Sequence, residues 1–198
     1  FLSIATEING QMDVLMLGWL GSSEQVGLYR VAVHVSMLVV FGLQVANIII
    51  RPRVAVLFAS SDIEQLQRQV TYVARWILIT ALPVASCLLM FGGEIATFVF
   101  GTSFQGSYLP LAILSVAQLL NALFGSVGVL LNMTGHQSSS ARALWISAIL
   151  NILLNWTFIP LYGMVGAAFA TGLSLMVWNV LLFNVVRSRI GIDPTVLS

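Results

Sequence analysis

The stretch YVARWILITALPVASCLLMF, residues 72–91, holds one charged side chain, Arg75, in twenty positions. An α-helix rises about 1.5 Å per residue, so this run covers about 30 Å, the thickness of a bilayer's hydrocarbon core. Within hydrocarbon each backbone amide must be satisfied inside its own segment, which reads the run as a transmembrane helix. Pro83 predicts a kink in it. Comparable apolar runs lie at residues 2–20, 27–50, 108–132, 143–161 and 165–186. The fold class is therefore all-α, a polytopic transmembrane helical bundle of about six spans.

Composition agrees with that reading. Of 198 residues 59% are hydrophobic and 8% charged, against roughly a quarter charged in an ordinary soluble domain. So few charges cannot clothe a water-soluble surface. The net charge is +1 and the basic residues are all arginine, so no basic patch points to nucleic acid. Cys87 stands alone inside an apolar run and reads as a small buried hydrophobe. The chain starts at Phe1 directly in a hydrophobic run with no charged leader, and is expected to be a piece of something longer. A phosphate-binding glycine loop with lysine, paired metal-ligating Cys and His, a nucleophile elbow and a dinucleotide fingerprint are all missing, so neither an enzyme nor a cofactor is expected.

Turn residues separate the spans: Gly21-Ser22-Ser23, Arg51-Pro52-Arg53, Gly92-Gly93, Gly135-His136-Gln137 and Pro160-Leu161-Tyr162-Gly163. Their shortness makes successive helices antiparallel. Ser61-Asp62-Ile63-Glu64 fits a capping box with Ser61 as the cap, and Leu66, Val70, Val73 and Ile77 follow at helical spacing. An amphipathic surface helix at about 62–71 is thus expected to lead into the third span, with Arg68 and Arg75 reaching head groups. A second, weaker surface segment is expected at 94–100.

Arginines set the orientation. Arg51, Arg53, Arg68 and Arg75 fall between spans two and three, Arg142 between four and five, and Arg187 and Arg189 after six. Only Arg30 falls on the other side. The positive-inside rule places the arginine-rich side, and with it both ends of the chain, in the cytoplasm.

Polar residues inside the spans are the candidates for function. A carboxylate at mid-membrane costs about 2.5 to 3.5 kcal/mol on insertion scales, which singles out Glu7 and Asp13. Thr6, Asn9 and Asp13 share one helical stripe that should face an interior, whereas Glu7 either joins it or snorkels to the interface. On the second span Arg30, His34, Gln44 and Arg51 share a face. Arg30 is read as a partner of Asp13, a ligand for an anionic substrate, or an interfacial anchor. His34 is read as a titrating group or a hydrogen-bonded structural residue. Gln118, Asn121, Gly125, Gly128 and Asn132 line one side of the fourth span, and Ser147, Asn151 and Asn155 recur at fours on the fifth. Such stripes either glue helices together or line a hydrated cavity, and four stripes in one bundle favour a shared polar interior. Gly166, Ala167, Ala170, Thr171 and Ser174 form a small-residue face suited to close helix contact.

The stretch NILLNWTFIPLYGMVGAAFAT, residues 151–171, resembles the late segment of polysaccharide flippases in the multidrug, oligosaccharidyl-lipid and polysaccharide exporter superfamily. Asp13-Val-Leu-Met-Leu-Gly18 with Val26-Gly27-Leu-Tyr29 is similar to that family's seventh span and the start of its eighth. Phe100-Gly101, the leucine-rich fourth span and the Gly135 loop agree in order and spacing. The resemblance implies one lobe, the C-terminal one, of a two-lobed transporter that rocks between inward-open and outward-open states. It implies a flippase that moves undecaprenyl-pyrophosphate-linked oligosaccharide across the bacterial inner membrane for polysaccharide export, with ion coupling in some relatives. The implied partners are the lipid-linked oligosaccharide, membrane lipid and an N-terminal lobe of the same protein. The pathway residues are then Asp13, Arg30, His34, Glu7, Asn9, Gln118, Asn121, Asn151 and Asn155, with Arg30 meeting pyrophosphate and Asp13 taking a proton or positioning Arg30. Two alternatives stand beside this: a cation-coupled drug or metabolite antiporter of the same superfamily, and a non-transporting membrane scaffold.

Overall fold

The structure, a computed structural model, describes the backbone of residues 2–195 and the side chains of residues 11–195. Helix α1 (Leu2–Leu20) turns at Gly21 into α2 (Ser23–Ser36), whose first turn is capped by the Ser22 hydroxyl accepting from the Gln25 amide. A short 3-10 turn, Met37–Val40, joins α2 to α3 (Phe41–Ala59). Then follow α4 (Ile63–Phe100), a 3-10 stretch Thr102–Ser107, α5 (Tyr108–Leu123), α6 (Val127–Met133) and α7 (Gln137–Arg189). Among the described residues four stretches, Ser23–Ala59, Ile63–Phe100, Thr102–Leu123 and Gln137–Arg189, are long and apolar enough to cross a membrane.

At about 1.5 Å per residue a straight α7 would measure about 80 Å. It does not run straight. Gly163 has φ 56° and ψ −135°, outside helical geometry, and folds α7 into a hairpin. The Ser147 hydroxyl donates to the carbonyl of Ser174 at 2.8 Å, and a Cβ on Gly166 would stand 2.2 Å from the Phe158 carbonyl oxygen. Those contacts pair 147 with 174 and 158 with 166, the register of two antiparallel arms, at the break read between the fifth and sixth spans.

Other breaks fall differently from the sequence reading. Arg51-Pro52-Arg53 does not end a helix: α3 runs through Pro52 to Ala59, because one proline removes one amide donor, a loss a long helix tolerates. Gly92-Gly93 likewise lies within α4, which continues to Phe100, so 94–100 is the end of that helix and not a separate surface segment. Glycine serves packing here: a Cβ on Gly92 would meet Leu111 at 3.0 Å and one on Gly93 would meet Tyr108 at 3.7 Å. The stretch at 62–71 is the uninterrupted start of the same helix. Its cap is Asp62, whose carboxylate accepts from the Gln65 amide at 3.0 Å, while Ser61 adopts φ 58°, and Glu64 pairs with Arg68 one turn on. The fourth span is broken at Gly125, φ 64°, into α5 and α6.

The bundle is built around α5, which packs on α2, α4 and α7, while α1 lies against α7 and α3 against α4. Its interior is rich in small residues: Ala74, Ala81, Ala85, Ala96, Ala167 and Ala170 are fully or almost fully buried. Large apolar side chains point outward, Trp19, Ile48, Phe98, Trp145 and Trp156 among them. This is the polarity of a membrane protein, in which lipid accepts the bulky groups and close backbone approach holds the helices. Cys87 is exposed on the same outer surface and not buried, since that surface is lipid-facing and a thiol is apolar enough for it. At the arginine-rich end the chain after α7 folds back under the bundle, where Ile192 is buried and Gln67 grips the backbone of Asp193 through both ends of its amide, at 2.7 and 2.8 Å.

Candidate ion and substrate pathway

Asp13 sits on α1 where that helix meets the α7 hairpin, and only 5% of it is exposed. A charge withdrawn from both water and lipid needs donors. Both arms of α7 and helix α2 supply them. From the second arm of α7, the Thr171 hydroxyl donates to Asp13 Oδ2 at 2.6 Å; from the first arm, Asn155 Nδ2 donates to Oδ1 at 2.7 Å. From α2, Tyr29 Oη lies 3.3 Å from Oδ2 and 3.0 Å from Thr171 Oγ1. The Tyr29 hydroxyl donates to Oδ2, and Thr171 Oγ1 also lies 2.9 Å from the Ala167 carbonyl oxygen, so both hydroxyls and the carboxylate form one cluster. Asn155 Nδ2 also donates to Asn151 Oδ1 at 3.0 Å, which extends the network one turn along α7.

The fold places these groups together for local reasons. Tyr29 is fully buried, and a buried phenol requires a partner for its hydroxyl. Asn151 and Asn155 are four apart and therefore share a helix face. The turn at Gly163 brings Thr171 alongside Asn155. Gln25 packs against that turn, its side-chain amide 2.9 to 3.0 Å from where a Gly163 Cβ would stand.

Asp13 borders a cavity of about 180 Å³ between α2, α5 and both arms of α7, whose polar lining includes Gln118, Ser147, Asn151, Ser174 and Trp178. Ser174 Oγ and Trp178 Nε1 are buried there without a hydrogen-bond partner among the described residues. The polar groups are a minority of the lining surface, which is mostly apolar and includes Val33, Leu114, Leu144 and Leu175.

The sequence-derived candidates separate into groups. Asp13, Asn151 and Asn155 are joined in one network, and Gln118 lines the cavity beside them. Asn121 donates to Gln118 at 3.2 Å and accepts from Asn179 at 2.9 Å, so it ties α5 to α7. Arg30 and His34 do not join Asp13. Both are exposed, and His34 Nδ1 lies 2.8 Å from the Arg30 carbonyl oxygen. The reason is angular: the buried face of α2 is made by Leu28, Tyr29 and Ala32, and Arg30 and His34 lie on the other side of the helix. Glu7 and Asn9 lie outside the residues whose side chains are described. Sequence reasoning left Tyr29 and Trp178 unassigned and read Thr171 and Ser174 only as small packing residues. The one available signal was Tyr29 itself, a phenol within an apolar run. Among the described residues no three His, Cys, Asp or Glu gather as a metal site.

Residues 1–109, just over half of the chain, match a family described as polysaccharide biosynthesis protein. The chain belongs to that family. It is 29% identical over 194 residues to a probable low-salt glycan biosynthesis flippase, Agl15, of Haloferax volcanii, covering 96% of this chain and 41% of that one. It is 26% identical over 188 residues to a probable flippase, AglR, of the same organism, covering 93% of this chain and 39% of that one. The chain thus spans about two fifths of the length of these relatives. No solved structure matches it. Family and hydropathy together make it a multi-pass membrane protein.

Proposed function

We propose that the chain is the C-terminal lobe of a flippase that carries lipid-linked oligosaccharide across a membrane by alternating access. The observation that carries this reading is the buried Asp13, held by donors from α2 and both arms of α7 at the edge of a cavity. A carboxylate so placed stabilises little by itself, because its desolvation offsets its hydrogen bonds. Its value lies in a charge that can change. When a proton or a monovalent cation arrives at Asp13, the donors around it must rearrange, and those donors sit on the helices whose relative packing sets the shape of the lobe. That links ion occupancy to the rocking of the lobe.

Arg30, His34, Gln44 and Arg51 are all exposed on α2 and α3. Charged side chains on a span do not face lipid, so this polar face is the wall that meets the N-terminal lobe and the passage between the lobes. Arg30 offers a planar fork of donors suited to the pyrophosphate of the substrate. The finer reading takes undecaprenyl pyrophosphate as the carrier and the bacterial inner membrane as the location, with both ends of this chain cytoplasmic.

The antiporter reading draws support from the absence of any arginine at Asp13 among the described residues, since a cation site prefers a free carboxylate. The exposed Arg30 face favours an anionic substrate instead. The test is export by the full-length protein: Asp13→Asn and Arg30→Gln each reduce transfer of lipid-linked oligosaccharide to the outer leaflet. Normal export in both variants overturns the proposal. A scaffold would leave cysteines placed at Gln118 and Ser174 unreactive to water-soluble reagents, whereas a transporter exposes them.

A further inference from the structure

Helices α3 and α4 pack antiparallel in one register. Arg53 Nη1 donates to Gln69 Oε1 at 3.5 Å, and a Cβ on Gly42 would stand 2.2 Å from Thr80 Oγ1; both pairs of numbers add to 122. Along the outer side of this seam run two depressions. One, of about 350 Å³, lies between Phe41, Val45 and Ile49 of α3 and Trp76, Thr80 and Val84 of α4. The other, of about 340 Å³, lies between Pro52, Arg53 and Val56 of α3 and Gln65 and Gln69 of α4.

The two lie end to end along this seam, as one line of furrow. Phe41, Val45, Ile49, Pro52 and Val56 succeed one another at three or four residues, a single stripe about 80° wide on a helical wheel. On α4, Gln65, Gln69, Trp76, Thr80 and Val84, at steps of four with one of seven, lie within about 100°. Phe41, Val45, Ile49 and Val56 are all exposed, as are Tyr72 and Trp76, which stack edge to face at 6.2 Å. The floor is dry: the Thr80 hydroxyl donates back to the carbonyls of Trp76 and Ile77, leaving no free donor at the point where Gly42 lets the helices touch. From Phe41 to Arg53 the furrow is about 18 Å long. Its chemistry changes along that length, from aliphatic and aromatic to an exposed guanidinium flanked by two glutamine amides. Arg53 uses one of its five donors on Gln69, at the limit of hydrogen-bond distance, and presents the rest at the mouth.

We propose that this seam binds a lipid with a phosphate at the end of one long apolar chain, namely the polyprenyl phosphate on which the sugar travels. The guanidinium fork takes the phosphate, and the single furrow takes the single chain, where a glycerophospholipid would present two. The Arg53 end lies on the arginine-rich side, where the positive-inside rule puts the cytoplasm and where a lipid-linked sugar starts its crossing. The inference rests on the flippase reading for the identity of the lipid, but not for the existence of the site.

The experiment uses the full-length protein in nanodiscs with a photoactivatable polyprenyl phosphate that carries no sugar, and mass spectrometry to locate the adducts. Adducts are expected on residues 38–56 and 69–84. Arg53→Gln lowers their yield about tenfold, the scale of one charge-assisted hydrogen bond. Val45→Trp, a change at a lipid-facing position that leaves the packed core intact, fills the furrow and lowers the yield as well. Excess phosphatidylglycerol does not displace the probe. Adducts spread evenly over the outer helices, equal competition by phosphatidylglycerol, or unchanged yield in both variants would each overturn the site. Export measured on the same samples keeps the two proposals apart: loss of export in Asp13→Asn without seam adducts removes only this site, and seam adducts with normal export in Asp13→Asn and Arg30→Gln remove only the transport reading.

Discussion

The hydroxyl of Thr171 lies 2.6 Å from the carboxylate of Asp13, across 158 residues of chain. That bond joins the first helix to the last arm of the bundle through the least exposed carboxylate the structure describes. Thr171→Val keeps the side-chain shape and removes the donor. A hydrogen bond to a charged group contributes about 1.5 to 3 kcal/mol, so a loss of that size is expected. Thermal unfolding of the purified full-length protein measures it. Thr171→Ser should recover most of the stability, and a valine variant as stable as the parent would remove the bond from the account.

Gly163→Ala is expected to destabilise the α7 hairpin more than Gly172→Ala, whose Cβ would meet only Ala117 at 3.3 Å. Backbone at φ 56° and ψ −135° is close to glycine-only territory and costs about 1 to 3 kcal/mol for other residues. The added Cβ also meets Gln25. Gln25→Ala relieves the clash but not the strain, so the double variant should remain less stable than Gln25→Ala alone. Equal melting temperatures for those two proteins would show that the clash alone mattered.

Gly42 and Thr80 form a tight contact that a double-mutant cycle can read. Gly42→Ala drives a methyl into the Thr80 hydroxyl, and overpacking of that kind costs about 1 to 3 kcal/mol. In a Thr80→Ala background the same change should cost much less. Additive effects would place the two residues out of contact.

Gln67→Leu should free the segment after α7. The side chain holds the Asp193 amide and carbonyl together, and each neutral bond contributes about 0.5 to 1.5 kcal/mol net. Hydrogen exchange at the amide of Asp193 is expected to quicken, with protection elsewhere in α7 retained. Unchanged exchange there would mean that burial of Ile192 suffices to hold the segment.

Much of this protein was legible in the amino-acid order. The apolar runs required spanning helices, and the cost of a carboxylate in hydrocarbon picked out Asp13. The spacing of Asn151 and Asn155 placed both on one face because helix periodicity is local. Helix ends were less legible: Pro52, Gly92 and Gly93 look like stops, yet within a bilayer a helix is the cheapest way to satisfy a backbone, so α3 and α4 continue through them.

What the sequence by itself determined is the all-helical membrane fold and the residue around which its function is read. The partners of that residue were decided only by tertiary structure. Tyr29, Asn155 and Thr171 reach Asp13 because α2 and the two arms of α7 converge on α1, and that convergence turns on a backbone angle at Gly163. Arg30, one of whose readings was as that partner, is on the wrong side: the inward face of α2 runs through Leu28, Tyr29 and Ala32, and Arg30 lies about 100° round from Tyr29, exposed.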